Sequence, residues 1–152
     1  MQDVIKMRGC LELVLSDPFG NVVDKQKIEN TIVTVGRRWV LQQIESTDQV
    51  TAQTIKYIAV GTATTAPGTG DTALASESSR LAIQSFTTSN LTSNPPSWRA
   101  EASWATNEAN TTLGEVGLFV TNSGGTMLGR ATFTQINKTT SNTFAVSYTV
   151  SN

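Results

Sequence analysis

Apolar and polar residues alternate at the start of the chain. In GCLELVL the two-residue period puts Leu11, Leu13 and Leu15 on one face. SDPFGN then supplies proline and glycine, and VVDKQKIE returns, which predicts a β-hairpin. The period changes in ENTIVTVGRRWVLQQIEST. There Val33, Gly36, Val40, Leu41 and Ile44 recur at helical spacing, with Arg37, Arg38, Gln42 and Gln43 on the other side. This predicts one amphipathic helix from about Val33 to Ile44, in which Gly36 weakens helix propensity but permits close approach to a sheet.

IKYIAVG reads as a short buried strand, and GTATTAPGTG follows it. DTALASESSR predicts one or two helical turns capped by Asp71 or Thr72 and anchored by Leu74, with Glu77 and Arg80 paired three residues apart. LAIQSFTTS alternates as one strand, and the consecutive prolines of NLTSNPPSW favour an extended loop. WRAEASWAT sets Trp98, Ala100, Ala102 and Trp104 on one face. The clearest hairpin is EANTTLGEVGLFVTNSGGTMLGRATFTQI, with its turn at Asn122-Ser123-Gly124-Gly125. The last strand carries Phe144, Val146, Tyr148 and Val150 on one side. The expected fold class is mainly β: a single domain over 1–152, an antiparallel β-sandwich or barrel-like domain of about 7–8 strands plus the one helix. Residues 1–6 are expected to form a mobile N-terminal arm.

Within that frame the turn of the second hairpin fixes a pair of charges. If Ser123 and Gly124 form a two-residue loop, Gly117 lies opposite Arg130 and Glu115 opposite Thr132, so Glu115 and Arg130 become diagonal neighbours on one face. An ion pair that sets hairpin register is the leading reading, and a subunit contact or ligand site is the functional one.

Composition narrows the chemistry. At 152 residues one domain is the default, and a net charge of -1 with 15% charged residues gives no basic footprint for nucleic acid. Histidine is absent, which removes the commonest general base and metal ligand. Cys10 stands alone in a strand and is read as a small buried hydrophobe. MQDVIKMRGCLELVL has charge within its only apolar portion, so neither a signal peptide nor a membrane span is expected.

Specific sites fare no better. The stretch YIAVGTATTAPGTG has the flavour of a phosphate loop, but no lysine follows its glycines and neither nucleotide pattern is met. Glu101, Glu108 and Glu115 are not spaced as a catalytic pair, Asp17, Asp71 and Glu77 suit turns and caps, and Ser103 and Ser123 have no activating base. No cofactor, metal or catalytic residue is therefore assigned. Trp39, Trp98 and Trp104 offer aromatic faces for sugar stacking, although their periodicity favours the core, least clearly for Trp98 beside the prolines. A carbohydrate-binding module for host recognition is accordingly one alternative.

Several segments together resemble small virion structural proteins of tailed bacteriophages. They are the glycine-turn hairpin, NTIVTVGR leading into a helix, YIAVGTATTAP with DTALASESSR, GEVGLFV with GGTMLGRATF, and a Lys-Thr strand at the end, in consistent order over nearly the full length. The positions that carry it are Asn30, Gly36, Gly61, Asp71, Leu74, Glu77, Arg80, Glu115, Gly117, Leu118, Gly129 and Arg130, whereas Ala63 stands near where a second glycine is expected. The resemblance implies a non-enzymatic subunit of a symmetric assembly, such as a homotrimer, assembled in the bacterial cytoplasm and located in the virion. It implies capsid decoration or a head fibre, with the major capsid protein as neighbour, or a tail, baseplate or fibre-attachment part among tail proteins. No nucleic acid or membrane partner comes with it. The expected interface residues are Thr62, Thr64, Pro67, Thr69, Trp98, Glu115 and Arg130.

Overall fold

The two-residue periods become strands in two antiparallel sheets. The computed structural model describes residues 7–45, 54–87 and 96–151. Along the chain it places β1 (Arg8–Ser16), β2 (Val22–Glu29), β3 (Thr31–Ile32), α1 (Thr34–Glu45), β4 (Tyr57–Gly61), β5 (Glu77–Ala82), β6 (Ser85–Thr87), β7 (Ser97–Trp104), β8 (Thr112–Phe119), β9 (Met127–Asn137) and β10 (Thr143–Ser151). One sheet has the order β2-β1-β10-β7-β6 and the other β3-β9-β8-β4-β5. Among the described residues the fold is a β-sandwich with one helix, the first of the two expected architectures. Its described strands number ten rather than about eight, because the two-residue β3 and the three-residue β6 carry too little pattern to be read.

The first sheet follows its alternation. Leu11, Leu13 and Leu15 stand beside Tyr148, Val146 and Phe144, which in turn face Ala100, Ala102 and Trp104 in register. All nine are buried and form the inner layer against Ile58, Val60, Val116 and Leu118 of the second sheet. Each large apolar side chain buried this way contributes about 1.5–3 kcal/mol. Trp104 also ties the layers by polar means, its indole N–H donating to Ser79 Oγ at 2.9 Å. The intervening residues point outward, and Cys10 is among them: it is half-exposed rather than buried, because its register sets it opposite the leucines.

β8 is buried on both faces. Val116 and Leu118 face the sandwich interior, while Phe119 belongs to a second cluster on the outer side with Val33, Ala59, Leu74 and Met127. Something must therefore cover the outer face of this sheet. It is the segment joining β4 to β5.

Glutamine amides bridge the two sheets where they meet. Gln26 on β2 donates to Thr134 O at 2.8 Å and accepts from Thr134 N at 3.1 Å, so its amide acts as a strand residue between β2 and β9. Gln84 does the same with Ser103. LAIQSFTTS is consequently not one strand. It leaves the second sheet after Ala82 and enters the first at Ser85, and Gln84 bridges the step.

The helix boundaries agree with the pattern to within a residue, but its buried side is rotated. Gly36, Trp39 and Val40 face the protein and Leu41 is 65% exposed, since the large Trp39 takes the inward position. Ile44 lies outside the described side chains, and the mobile arm expected at residues 1–6 lies outside the described residues. Gly36 is required by contact: a Cβ there would sit 2.3 Å from Leu128 O. Leu128 is itself an extra residue where the β8–β9 register shifts, and its carbonyl accepts the Val33 N–H at 3.2 Å. Helix propensity favours Gly36→Ala by about 1 kcal/mol, whereas overpacking against a fixed carbonyl costs about 1–3 kcal/mol. We expect the clash to win, so that urea denaturation finds Gly36→Ala less stable than wild type. A more stable variant would show that the helix does not approach β9 this closely.

Candidate functional site

The segment between β4 and β5 begins where a side chain cannot fit. A Cβ on Gly61 would lie 2.3 Å from Ser76 O and 2.5 Å from Glu115 Oε1. This lets the two ends of the loop close on each other. Thr62 N donates to Ser76 O at 2.9 Å, and Thr62 Oγ1 bonds Ser76 Oγ at 2.9 Å. Between these ends the chain crosses the outer face of β4, β8 and β9, plugged by the buried Leu74.

DTALASESSR does not form a helix. Its first residues complete this loop and β5 starts at Glu77, because the loop's polar groups are taken by the sheet rather than by helical turns. Asp71 does act at a turn, though not at a helix: its carboxylate accepts the Gly68 N–H at 3.0 Å. Glu77 and Arg80 are paired at 2.6 Å as expected, but on a strand. Three residues apart on a regular strand they would point to opposite faces. The register shift between Val60 and Gly61 makes Ser78 an extra residue and returns both side chains to one face.

Beneath the loop lie Glu115 and Arg130. Gly117 pairs with Arg130 and Glu115 with Thr132, the register read from the turn residues. The turn itself is longer than two residues, with Val120 N bonding Thr126 O, and the extra residue Leu128 restores the register. Arg130 Nε bonds Glu115 Oε2 at 2.8 Å, and the side chains are 3% and 0% exposed. The other guanidinium nitrogens reach Asp71 Oδ2 at 2.8 Å and Thr65 O at 3.0 Å. Glu115 also accepts the N–H groups of Ser76 at 2.6 Å and Ala75 at 3.1 Å. One cation and two carboxylates thus hold the loop at Thr65, Asp71, Ala75 and Ser76.

The electrostatics follow from these contacts. Burial works against the Arg130 charge, but its bonds to Asp71 and Glu115 outweigh it and hold the guanidinium more firmly charged than usual. The Asp71 carboxyl is held below the ordinary aspartate value, first by the Gly68 N–H and then by Arg130. A planar fork with donors in three directions suits this junction, and a lysine does not. The loop also caps α1, since Thr69 O accepts the N–H of Thr34 at 2.7 Å.

The expected interface residues separate into groups. Thr64 and Thr69 are exposed on the crest of the loop and Thr62 and Pro67 are half-buried there, while Glu115 and Arg130 lie buried below them. Trp98 is elsewhere, half-buried on the first sheet, with one ring face stacked on Phe86 at 5.2 Å. A second arginine has a role that the sequence does not disclose: Arg80 lies over the Phe119 ring at 3.7 Å and donates to Thr121 O and Gly124 O, pinning the β8–β9 turn. Its spacing from Glu77 was the only signal available.

Among the described residues no group of three or more Cys, Asp or Glu is placed to hold a metal ion, and no helix is long and apolar enough to cross a membrane. Comparison with known proteins finds no matching family model, curated protein or solved structure.

Removing one partner of a buried ion pair costs about 3–5 kcal/mol. Glu115→Ala is expected to lose stability in that range and to speed hydrogen exchange at Ala75 and Ser76. Arg130→Lys should restore little of the stability lost in Arg130→Ala. Unchanged exchange at Ala75 and Ser76 in Glu115→Ala would show that the other anchors hold this end of the loop without Glu115. A second expectation concerns pH. A carboxylate whose folded value is depressed adds stability above its unfolded value, near pH 4, and loses it as pH falls through the folded value. Asp71→Asn should therefore be less stable than wild type at neutral pH, with the gap closing in acid. A gap that widens in acid would contradict the assignment.

Proposed function

We propose that this chain is a non-enzymatic structural subunit of a tailed-phage virion, decorating or stabilising the capsid surface as one copy in a symmetric oligomer. The observation that carries this reading is the crest of residues 62–70. It is exposed at Thr64, Thr65, Ala66, Gly68, Thr69 and Gly70, contains no charged residue, and is held in place by Arg130 and by its bond to α1.

Such a surface suits a protein neighbour. A loop already ordered loses little conformational entropy on binding, so more of its contact energy appears as affinity. Interface cores are depleted of charge, and this crest has none to desolvate. The resemblance of the sequence to small phage virion proteins supplies the kind of assembly. The glycan reading is weaker, because Trp98 spends one face on Phe86.

Immunogold labelling of virions from the phage encoding this chain, with antibody against the chain, tests the proposal. Label over the capsid is the expected result. Label confined to the tail or baseplate would transfer the function there, and unlabelled virions would overturn both. Thr64→Lys with Thr69→Lys should leave the fold within about 0.5 kcal/mol of wild type, as exposed substitutions do. The same pair should lower the number of copies incorporated. Undiminished incorporation would remove the crest from the contact.

A further inference from the structure

Lys138 has no part in the clamp, yet it is 1% exposed and ranks with the largest fully buried side chains. It follows β9, and its N–H bonds Thr111 O at 3.1 Å, which draws it against the segment joining β7 to β8. There its Nζ lies 2.9 Å from Asn110 Oδ1. An ammonium carries three donors, and a buried one wants carboxylates or several acceptors rather than a single amide oxygen. Burial accordingly pushes the Lys138 pKa down, against the pull of Glu108.

The other side of the contact is also held. Ala109 adopts a left-handed backbone with φ of 48°, a conformation that is strained for a residue bearing a Cβ and recurs at functional sites. Asn110 Nδ2 donates to Thr106 O at 2.9 Å, and Glu108 Oε2 accepts the Ala105 N–H at 2.8 Å. A buried amine and a side-chain amide at hydrogen-bond distance thus meet beside a strained residue.

We propose that Lys138 and Asn110 form an intramolecular isopeptide crosslink. The neutral Lys138 Nζ attacks Asn110 Cγ, forming the Nζ–Cγ bond. A proton passes from Nζ to Asn110 Nδ2 and the Cγ–Nδ2 bond breaks to release ammonia. No electrons are gained or lost and no co-reactant is needed. Asn110 is exposed, so the ammonia leaves directly into water. A burial gradient across one hydrogen bond therefore favours the neutral amine at one end and leaves an open exit at the other. The product closes a covalent ring around the β8–β9 hairpin, which carries both Glu115 and Arg130, and limits how far that hairpin can open in the unfolded chain.

Mass spectrometry of the purified full chain, denatured after incubation at mildly alkaline pH, tests the assignment. The expected mass is one ammonia below that of the sequence, about 17 Da. Trypsin should fail to cut after Lys138 and should release a peptide in which the segment containing Asn110 is joined to the one containing Lys138. Lys138→Arg should restore the full mass. A wild-type chain at full mass, cut after Lys138, overturns the crosslink. So does an ammonia loss that persists in Lys138→Arg, or one that maps to a cyclised Asn or an N-terminal Gln. The peptide map reads the wild-type chain directly, so the outcome does not depend on the variant folding.

Discussion

A guanidinium removed from water must find carboxylates, and Arg130 finds two on different parts of the chain. Glu115 reaches it from the neighbouring strand and Asp71 from the loop that crosses above. Without the loop, Arg130 and Glu115 would face solvent as an ordinary cross-strand pair of small net value. With it they are dry, and leaving either unpaired becomes costly. The dependence runs both ways. The loop has little apolar surface beyond Leu74, so its order rests on the polar groups that it also buries.

This explains why the two outer faces differ. On the first sheet the strands alternate cleanly, and the outward row of β10 is Thr143, Ala145, Ser147, Thr149 and Ser151, all half-exposed and needing no cover. On the second, β8 presents Glu115, Gly117 and Phe119 outward, and the chain covers them with its own loop. Arg80 does for the adjacent turn what Arg130 does for the loop, with the Phe119 ring as its base and backbone carbonyls as its acceptors. Two arginines on one face thus convert two irregular segments into fixed ones.

Much of this was legible in the sequence because a two-residue period is a local property. Leu11 to Leu15, Trp98 to Trp104 and Phe144 to Val150 declare their faces without reference to any partner. The Glu115–Arg130 diagonal was equally legible, since hairpin register propagates from the turn, and an extra residue in the strand compensated for a longer loop. What failed had a tertiary cause. DTALASESSR has helical spacing and a capping aspartate, but its N–H groups at Ala75 and Ser76 go to Glu115 and its carboxylate to Arg130. Leu41 has the apolar character of an inward position, but the larger Trp39 fills that space. Nothing local in residues 62–70 identifies the groups that order them, since Arg130 and Thr34 lie far away in the chain. Lys138 and Asn110 carry no motif, and only folding brings them together.

The clamp also constrains how such a surface can act. A charged crest would bind through long-range attraction and tolerate loose geometry, whereas an uncharged one gains mainly from close fit. Close fit requires that the loop not rearrange, and anchors along a short segment meet that requirement before any partner arrives. The cost is adaptability, because a loop tied to Thr34, Gly61, Glu115 and Arg130 cannot reshape itself for dissimilar neighbours. Repetition of one contact in a closed symmetric assembly is the setting in which that cost is smallest, since every copy meets the same surface. A crest fixed in this way suits the proposed assembly better than it suits a binder of many partners.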